Sequence, residues 1–206
     1  MISRCLRPFL LLFLLAASPC FAATPEAVLT EIQRAIDASD LPAFERHVDV
    51  DALLDQSSSA LIAGLQKAGK VDTSGLPPML SLMVASVQDP SMAKQIKSLL
   101  VQETGTFARS GIESGFFAGK PKAAKPQGLL APLFADVSTG RKELRARGAS
   151  RKANGAVILP ATIHDFGNGR DYKVDLGMVP SGQSWKVNRI ANMDRLVSRL
   201  QKEAAE

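Results

Sequence analysis

AVILPATIHDFGNGRDYKVDLGMVPSGQSWKVNRI, residues 156–190, decides the fold. The helical spacing of apolar residues that runs through the preceding sequence stops before this stretch, and turn residues divide it. Gly167-Asn168-Gly169 and Pro180-Ser181-Gly182 lie inside it and Asn154-Gly155 just ahead of it. These residues adopt the left-handed conformations that short hairpins demand. The stretch therefore predicts antiparallel strands over roughly 156–165, 170–179 and 184–191, with a further strand over roughly 142–152 before them, forming a meander of three to four strands. Pro160 has no N–H for a ladder and marks an edge or a bulge. Trp185, Val187 and Ile190 take the buried positions of the last strand. Asn192 or Asp194 then opens a terminal helix with Leu196, Val197 and Leu200 on its apolar side.

Upstream, the pattern is helical. Thr24 caps a helix that begins at Pro25 and carries Ala27, Val28, Leu29, Ile32, Ala35 and Ile36 before Asp37-Ala38-Ser39-Asp40 stops it. Asp40 caps a short second helix with Leu41, Phe44 and Val48 inward. Asp49 or Asp51 opens a third, with Leu53, Leu54, Leu61, Ile62 and Leu65, that ends near Gly69. Residues 70–77 read as a loop, followed by an apolar helix with Met79, Leu80, Leu82, Met83, Val84 and Val87. Asp89-Pro90 starts a long helix running towards Phe117, with a stripe of Met92, Ile96, Leu99, Leu100, Phe107 and Phe116. Gly105, Gly111 and Gly115 interrupt that stripe, each costing about 1 kcal/mol relative to Ala in a helix. Close approach of another backbone, a kink or a break is expected there. Gly119 to Gly128 has the composition of an exposed connector, and a short helix is expected over 129–135. Helices first and an antiparallel sheet afterwards make an α+β domain.

The first 22 residues read as a cleavable secretory leader. Arg4 and Arg7 give a positive start, Phe9 to Ala17 an apolar run, and Pro19 precedes Cys20-Phe21-Ala22, with cleavage expected after Ala22. Cys20 lacks the flanking residues of a lipoprotein signal, and the run is short of the ~20 apolar residues that span a bilayer. Cys5 and Cys20 are the only cysteines in the sequence. The mature chain of residues 23–206 is thus expected in the periplasm or outside the cell, without thiols or disulfides, as one α+β domain. Its expected parts are a helical part at 24–118, the connector at 119–128, the sheet at 141–192 and the terminal helix at 193–205. No later segment is apolar enough to span a membrane.

Loss of Arg4 and Arg7 takes the 25 basic residues to 23 against 20 acids, a net charge of +3. The surplus lies in 118–155, with Lys120, Lys122, Lys125, Arg141, Lys142, Arg145, Arg147, Arg151 and Lys152. A secreted chain rarely meets nucleic acid, and this stretch lacks interleaved stacking aromatics, so nucleic acid is discounted as a partner. Lys120, Lys122 and Lys125 are candidates for an anionic lipid or glycan surface; an ordinary solvated charge run reads the same way.

Few residues carry reactive chemistry. His47 with Asp49, Asp51 and Asp55 fails the calcium-loop pattern because Leu53 and Leu54 stand where an acid and a glycine are needed. Gly64 to Lys70 has P-loop spacing, but Val71 replaces the magnesium-binding hydroxyl. No cofactor or metal is expected. His164, Asp165 and Tyr172 are weak catalytic candidates at a hairpin end, with His164 or Asp165 as a general base; a polar hairpin end explains them equally. Met79, Met83, Met92, Phe107, Phe116 and Trp185 are candidate ligand-binding residues, since Met and aromatic side chains line adaptable apolar cavities. The same spacing also describes an ordinary core.

The stretch Ala27 to Leu65, with Ile32-Gln-Arg-Ala-Ile36, Asp40-Leu-Pro-Ala-Phe-Glu-Arg-His-Val-Asp49 and Ala52-Leu-Leu, resembles the opening of a bacterial family of exported proteins of unknown function. Trp185-Lys-Val-Asn-Arg-Ile190 is similar to that family's closing strand. The resemblance covers roughly the first forty mature residues and the last fifty. It implies a cystatin-like cone of the nuclear-transport-factor type, with no established catalytic residues to carry over. A looser similarity, of architecture alone, is to periplasmic phospholipid carriers. The resulting expectation is an exported domain that binds a lipid, another apolar or amphiphilic molecule, or an envelope protein, without catalysis. The alternatives are an interaction accessory with a filled core, or a cone-fold lyase, isomerase or hydrolase.

Overall fold

A computed structural model of the protein describes residues 23–68, 82, 84–125 and 140–203. The leader expected at 1–22, the loop expected at 70–77, Met79 and Met83, the end of the expected connector at 126–128 and the helix expected at 129–135 lie outside the described residues. The architecture is α+β, with N-terminal helices over one face of a curved, open antiparallel sheet and a short C-terminal helix.

Local chemistry sets the helix ends. Helix α1 (Pro25–Ala38) is capped by Thr24, whose Oγ1 accepts from the Ala27 N–H at 3.1 Å. It stops where Ser39 turns left-handed (φ 61°), letting the N–H groups of Ser39 and Asp40 satisfy the last carbonyls. The Asp40 carboxylate then caps α2 (Leu41–His47), accepting from Ala43 at 2.8 Å. Of the two candidates for the next cap, it is Asp49 that serves α3 (Val50–Ala68), accepting from Ala52 at 3.1 Å. Residues 84–86 are helical, and α4 (Pro90–Glu113) starts from an Asp89 cap.

The end of α4 departs from the expected run to Phe117. The helix stops at Glu113, Gly115 takes φ +77°, and the chain doubles back so that the Phe117 N–H donates to the Gly111 carbonyl at 3.0 Å. Of the three outcomes expected at these glycines, another backbone, a kink or a break, Gly115 gives the break, and at Gly111 a Cβ would collide with the Phe117 ring, so that glycine is needed for a side chain to close over the helix. Gly105 similarly leaves room for Leu54 and Arg109.

The sheet comprises β1 (Lys142–Ala146), β2 (Arg151–Ala153), β3 (Ala156–Asp165), β4 (Arg170–Ser181) and β5 (Ser184–Ile190), followed by α5 (Met193–Glu203). Strand order is β1-β3-β4-β5, all neighbours antiparallel, with β2 beside β3 on the same flank as β1. The strand expected over 142–152 is thus two strands. Ala146 faces Ala161 and Arg151 faces Ile158, so residues 147–150 stand opposite Leu159 and Pro160 alone. Pro160 is the cause: its carbonyl accepts from Arg147 on this flank, and its N–H would have pointed the same way had it possessed one.

Alternation along β3 and β4 puts Leu159, Ala161, Val174, Leu176 and Met178 under α1, where Val28, Leu29, Ile32 and Ile36 meet them. A separate buried cluster of Ile62, Val87, Ala93 and Leu100 joins α3 to α4 away from the sheet. Two glutamines tie the helices to opposite sheet edges. From α1, Gln33 accepts from the Leu144 N–H (2.7 Å) and donates to the Lys142 carbonyl (3.3 Å) on β1. From α3, Gln56 accepts from the Ile190 N–H (2.8 Å) and donates to its carbonyl (2.9 Å) on β5. Each amide substitutes for a missing neighbouring strand. Where β5 does not reach, Asn192 takes over, accepting from Asp175 and donating to Lys173 on β4.

Gln33→Ala and Gln56→Ala are each expected to destabilise the fold by about 1–3 kcal/mol in urea unfolding, because two backbone groups lose their partner. Gln33→Glu, which keeps the acceptor and loses the donor, should fall between. Glu26 supplies a pH test. Its carboxylate accepts from the Ser150 N–H at 2.8 Å, a bond that holds its pKa below the usual glutamate value. The stability it adds is present above the unfolded pKa and is lost as pH falls through the lower folded one. The urea-midpoint difference between the native chain and Glu26→Gln should therefore be largest near neutrality and shrink on acidification.

Candidate functional site

The described residues line a half-open apolar cavity of about 200 Å³ at the end of the sheet where β1 begins. Its position follows from the tight turns between the first three helices. Ile36 comes from the last turn of α1, Leu41 and Phe44 from α2, Val48 from the link, and Val50, Leu53 and Leu54 from the first turns of α3. The opposite wall is the end of α4, with Ala108, Arg109 and Ile112, and the returning Phe117. Phe117 is braced edge-on by Phe107 and Phe116, both with ring centroids 5.8 Å away. A hollow of about 360 Å³ beside α5 is larger and shallower, with Asp194, Arg195, Ser198 and Arg199 of one helix as its described lining.

Two residues of the lining are cationic, and the charged ends of both are held. Arg109 donates from Nε to Glu45 (2.7 Å) and from an Nη to Asp51 (2.9 Å), and these bonds, Asp51 foremost, raise its pKa further. Lys142 lies deeper. Its Nζ is 2.6 Å from Asp165 Oδ1, and the two side chains are only 12% and 6% exposed. Burial pushes the Lys142 pKa down, against the opposing pull of the Asp165 hydrogen bond and charge. Asp165 is further fixed by the Gly167 N–H at 2.8 Å. The pair joins the first residue of β1 to the last of β3, which face each other in register.

The three catalytic candidates do not converge. His164 projects from the other face of the sheet, with Nδ1 2.6 Å from Asp171 Oδ1 and its ring edge-on to Phe166. Asp165, one residue on, faces the core and is bound to Lys142. Tyr172 shares that inner face, but its hydroxyl accepts from Asn168 (2.8 Å) and the Arg199 guanidinium sits 5.0 Å over its ring.

Of the ligand-binding candidates within the described residues, Phe107 and Phe116 stand behind the cavity wall, Met92 is exposed on α4, and Trp185 packs on the main core while donating to the Ala23 carbonyl at 2.9 Å. The residues that line the cavity were visible only as inward positions of three helices. Their convergence follows from the helix crossings, which no sequence spacing reports.

The basic stretch is largely consumed within the fold. Lys142 pairs with Asp165, Arg145 with Glu143, and Arg147 and Arg151 with Asp175. Lys120 donates to the Ala38 carbonyl at the end of α1, a favourable place for a cation. Lys122 and Lys125 are exposed.

No family model, curated protein or solved structure matches the chain.

Removing one member of a buried ion pair strands the other, so Lys142→Met should cost about 3–5 kcal/mol in urea unfolding. Adding Asp165→Asn, which still accepts from Gly167, should recover most of that loss. Additive losses in the double variant would mean that the two side chains do not act as a pair.

Proposed function

We propose that the protein is a non-catalytic binder of a small apolar or amphiphilic molecule, exported to the periplasm or beyond by its leader. The cavity carries this reading. It is lined almost wholly by aliphatic and aromatic side chains, and such a space gains from an apolar occupant at about 25 cal/mol per Å² removed from water. Its size limits the class. At about 30 Å³ per water in the liquid, 200 Å³ has room for a group of roughly six or seven heavy atoms. That is below the usual range of about 300–1,000 Å³ for sites enclosing larger ligands. A ring, a short branched chain or the end of a longer chain fits; a whole diacyl lipid does not. The polar end of an amphiphile would meet the Arg109, Glu45 and Asp51 cluster.

A series of primary alcohols from four to twelve carbons tests this through the shift in Tm. Affinity should rise with chain length and level off once the cavity is full, at about six or seven heavy atoms. At a free concentration of 100 Kd, binding to the native state alone would add about 2.7 kcal/mol of stability. Ala108→Leu, which places extra carbons in the cavity from a helical position, should keep the fold and abolish the shift. A flat Tm across the series, or an equal rise in Ala108→Leu, would remove the proposal.

A further inference from the structure

The sheet face turned away from the helices gathers arginines. In register across it, Arg189 of β5 faces Gly177 of β4, Gly177 faces Ile158 of β3, and Ile158 faces Arg151 of β2. A bulge between Gly177 and Met178 sets Arg189 into that row. The arginine then lies flat on the glycine, for a Cβ on Gly177 would collide with Arg189 Cγ and Nε. Asp175, two residues back along β4 on the same face and about 7 Å away, receives two more guanidinium groups. An Nη of Arg147 is 3.4 Å from one carboxylate oxygen and an Nη of Arg151 is 3.8 Å from the other. Arg147 is fixed further by its Nε, which donates to the Ala161 carbonyl at 3.0 Å.

Charge on this patch is unbalanced. Arg147, Arg151, Arg189 and Lys173, which precedes Asp175 by two residues on the same face, share one carboxylate. The other outward acids, Glu143 and Asp171, are engaged by Arg145 and His164. Among the described residues no ion pair engages Lys173 or Arg189, and both are exposed. The contacts to Asp175 are long and single, so each fork keeps most of its N–H groups for another acceptor.

We propose that this patch is a phosphate-binding site, with Arg151 and Arg189 as arms of a clamp on either side of Ile158 and Gly177, and Arg147 beside them. Guanidinium forks match phosphate oxygens in pairs. A phosphate monoester carries close to two negative charges and three acceptor oxygens, which offsets the surplus and serves more than one fork. A monocarboxylate brings one charge and two oxygens. Inorganic phosphate, a soluble phosphomonoester and the head group of phosphatidic acid share the required chemistry. The site is on the opposite face of the sheet from the apolar cavity and is independent of it.

The test titrates the full chain calorimetrically with inorganic phosphate at pH 8, at an ionic strength held constant with sodium chloride. Binding should saturate, and acetate under the same conditions should give no saturable heat. Arg189→Gln and Arg151→Gln should each weaken phosphate at least about tenfold. Arg189→Lys, which keeps the charge and loses the fork, should restore only part of the affinity. Lys94→Gln, which removes an exposed charge on α4, should change nothing. Phosphatidylcholine vesicles containing phosphatidic acid separate the sources. Co-sedimentation that free phosphate displaces and Arg189→Gln abolishes assigns a lipid head group, whereas phosphate binding without co-sedimentation assigns a soluble ligand. Absence of saturable phosphate binding, equal binding of acetate, or undiminished affinity in Arg189→Gln and Arg151→Gln would overturn the proposal.

Discussion

An open antiparallel sheet has two edges with unpaired backbone groups, and the way this protein satisfies them determines where everything else sits. Gln33 and Gln56 each present one side-chain amide, a donor and an acceptor in a plane, to opposite edges. Because the first belongs to α1 and the second to α3, the two bonds fix both helices across the same face. The α2–α3 turn adds a third point, where the Asp49 N–H donates to the Val187 carbonyl at 2.7 Å. At these points the edges are blunted against pairing with another chain, the usual hazard of an exposed strand.

The cavity is a consequence of that arrangement. With α1 and α3 held at the two edges, seven-residue α2 is too short to fill the space between them at the β1 end of the sheet. The far wall is supplied by Phe117, brought there only because α4 breaks at Gly115 and the chain folds back over Gly111. The same return places the Phe117 carbonyl on the Lys142 N–H at 2.9 Å, which starts β1 beneath the cavity. Lys142 is therefore anchored by its backbone on one side and by Asp165 through its side chain, beside the apolar cavity. A charged pair in such surroundings is costly to keep, and removing either member would strand the other.

The sheet's two faces divide the polar residues. Inward positions carry the core and the Lys142–Asp165 pair. Outward ones carry an ionic lattice in which Glu143, Arg145, His164 and Asp171 neighbour one another across three strands. His164 and Asp165, adjacent in the chain, are on opposite sides of this division. A strand's period of two therefore gives the two alternative bases different surroundings, His164 beside Asp171 and Asp165 beside Lys142.

The sequence by itself determined the caps at Thr24, Asp40 and Asp89, the turns at Asn154-Gly155 and Gly167-Asn168-Gly169, the order of helices before meander, and the disturbance at Pro160. Each of these is a local matter, settled by the conformational limits of one residue or by a side chain reaching its own backbone a few residues away. Only the tertiary structure decided that Pro160 splits one strand into two, that the Phe117 ring occupies the gap at Gly111, and that Lys142 meets Asp165. It also decided that Gln33 and Gln56 are structural keystones, although in the sequence they are two unremarkable polar helix positions. These are contacts between residues far apart in the chain, and their energies depend on register and helix crossing, quantities that composition and periodicity do not encode.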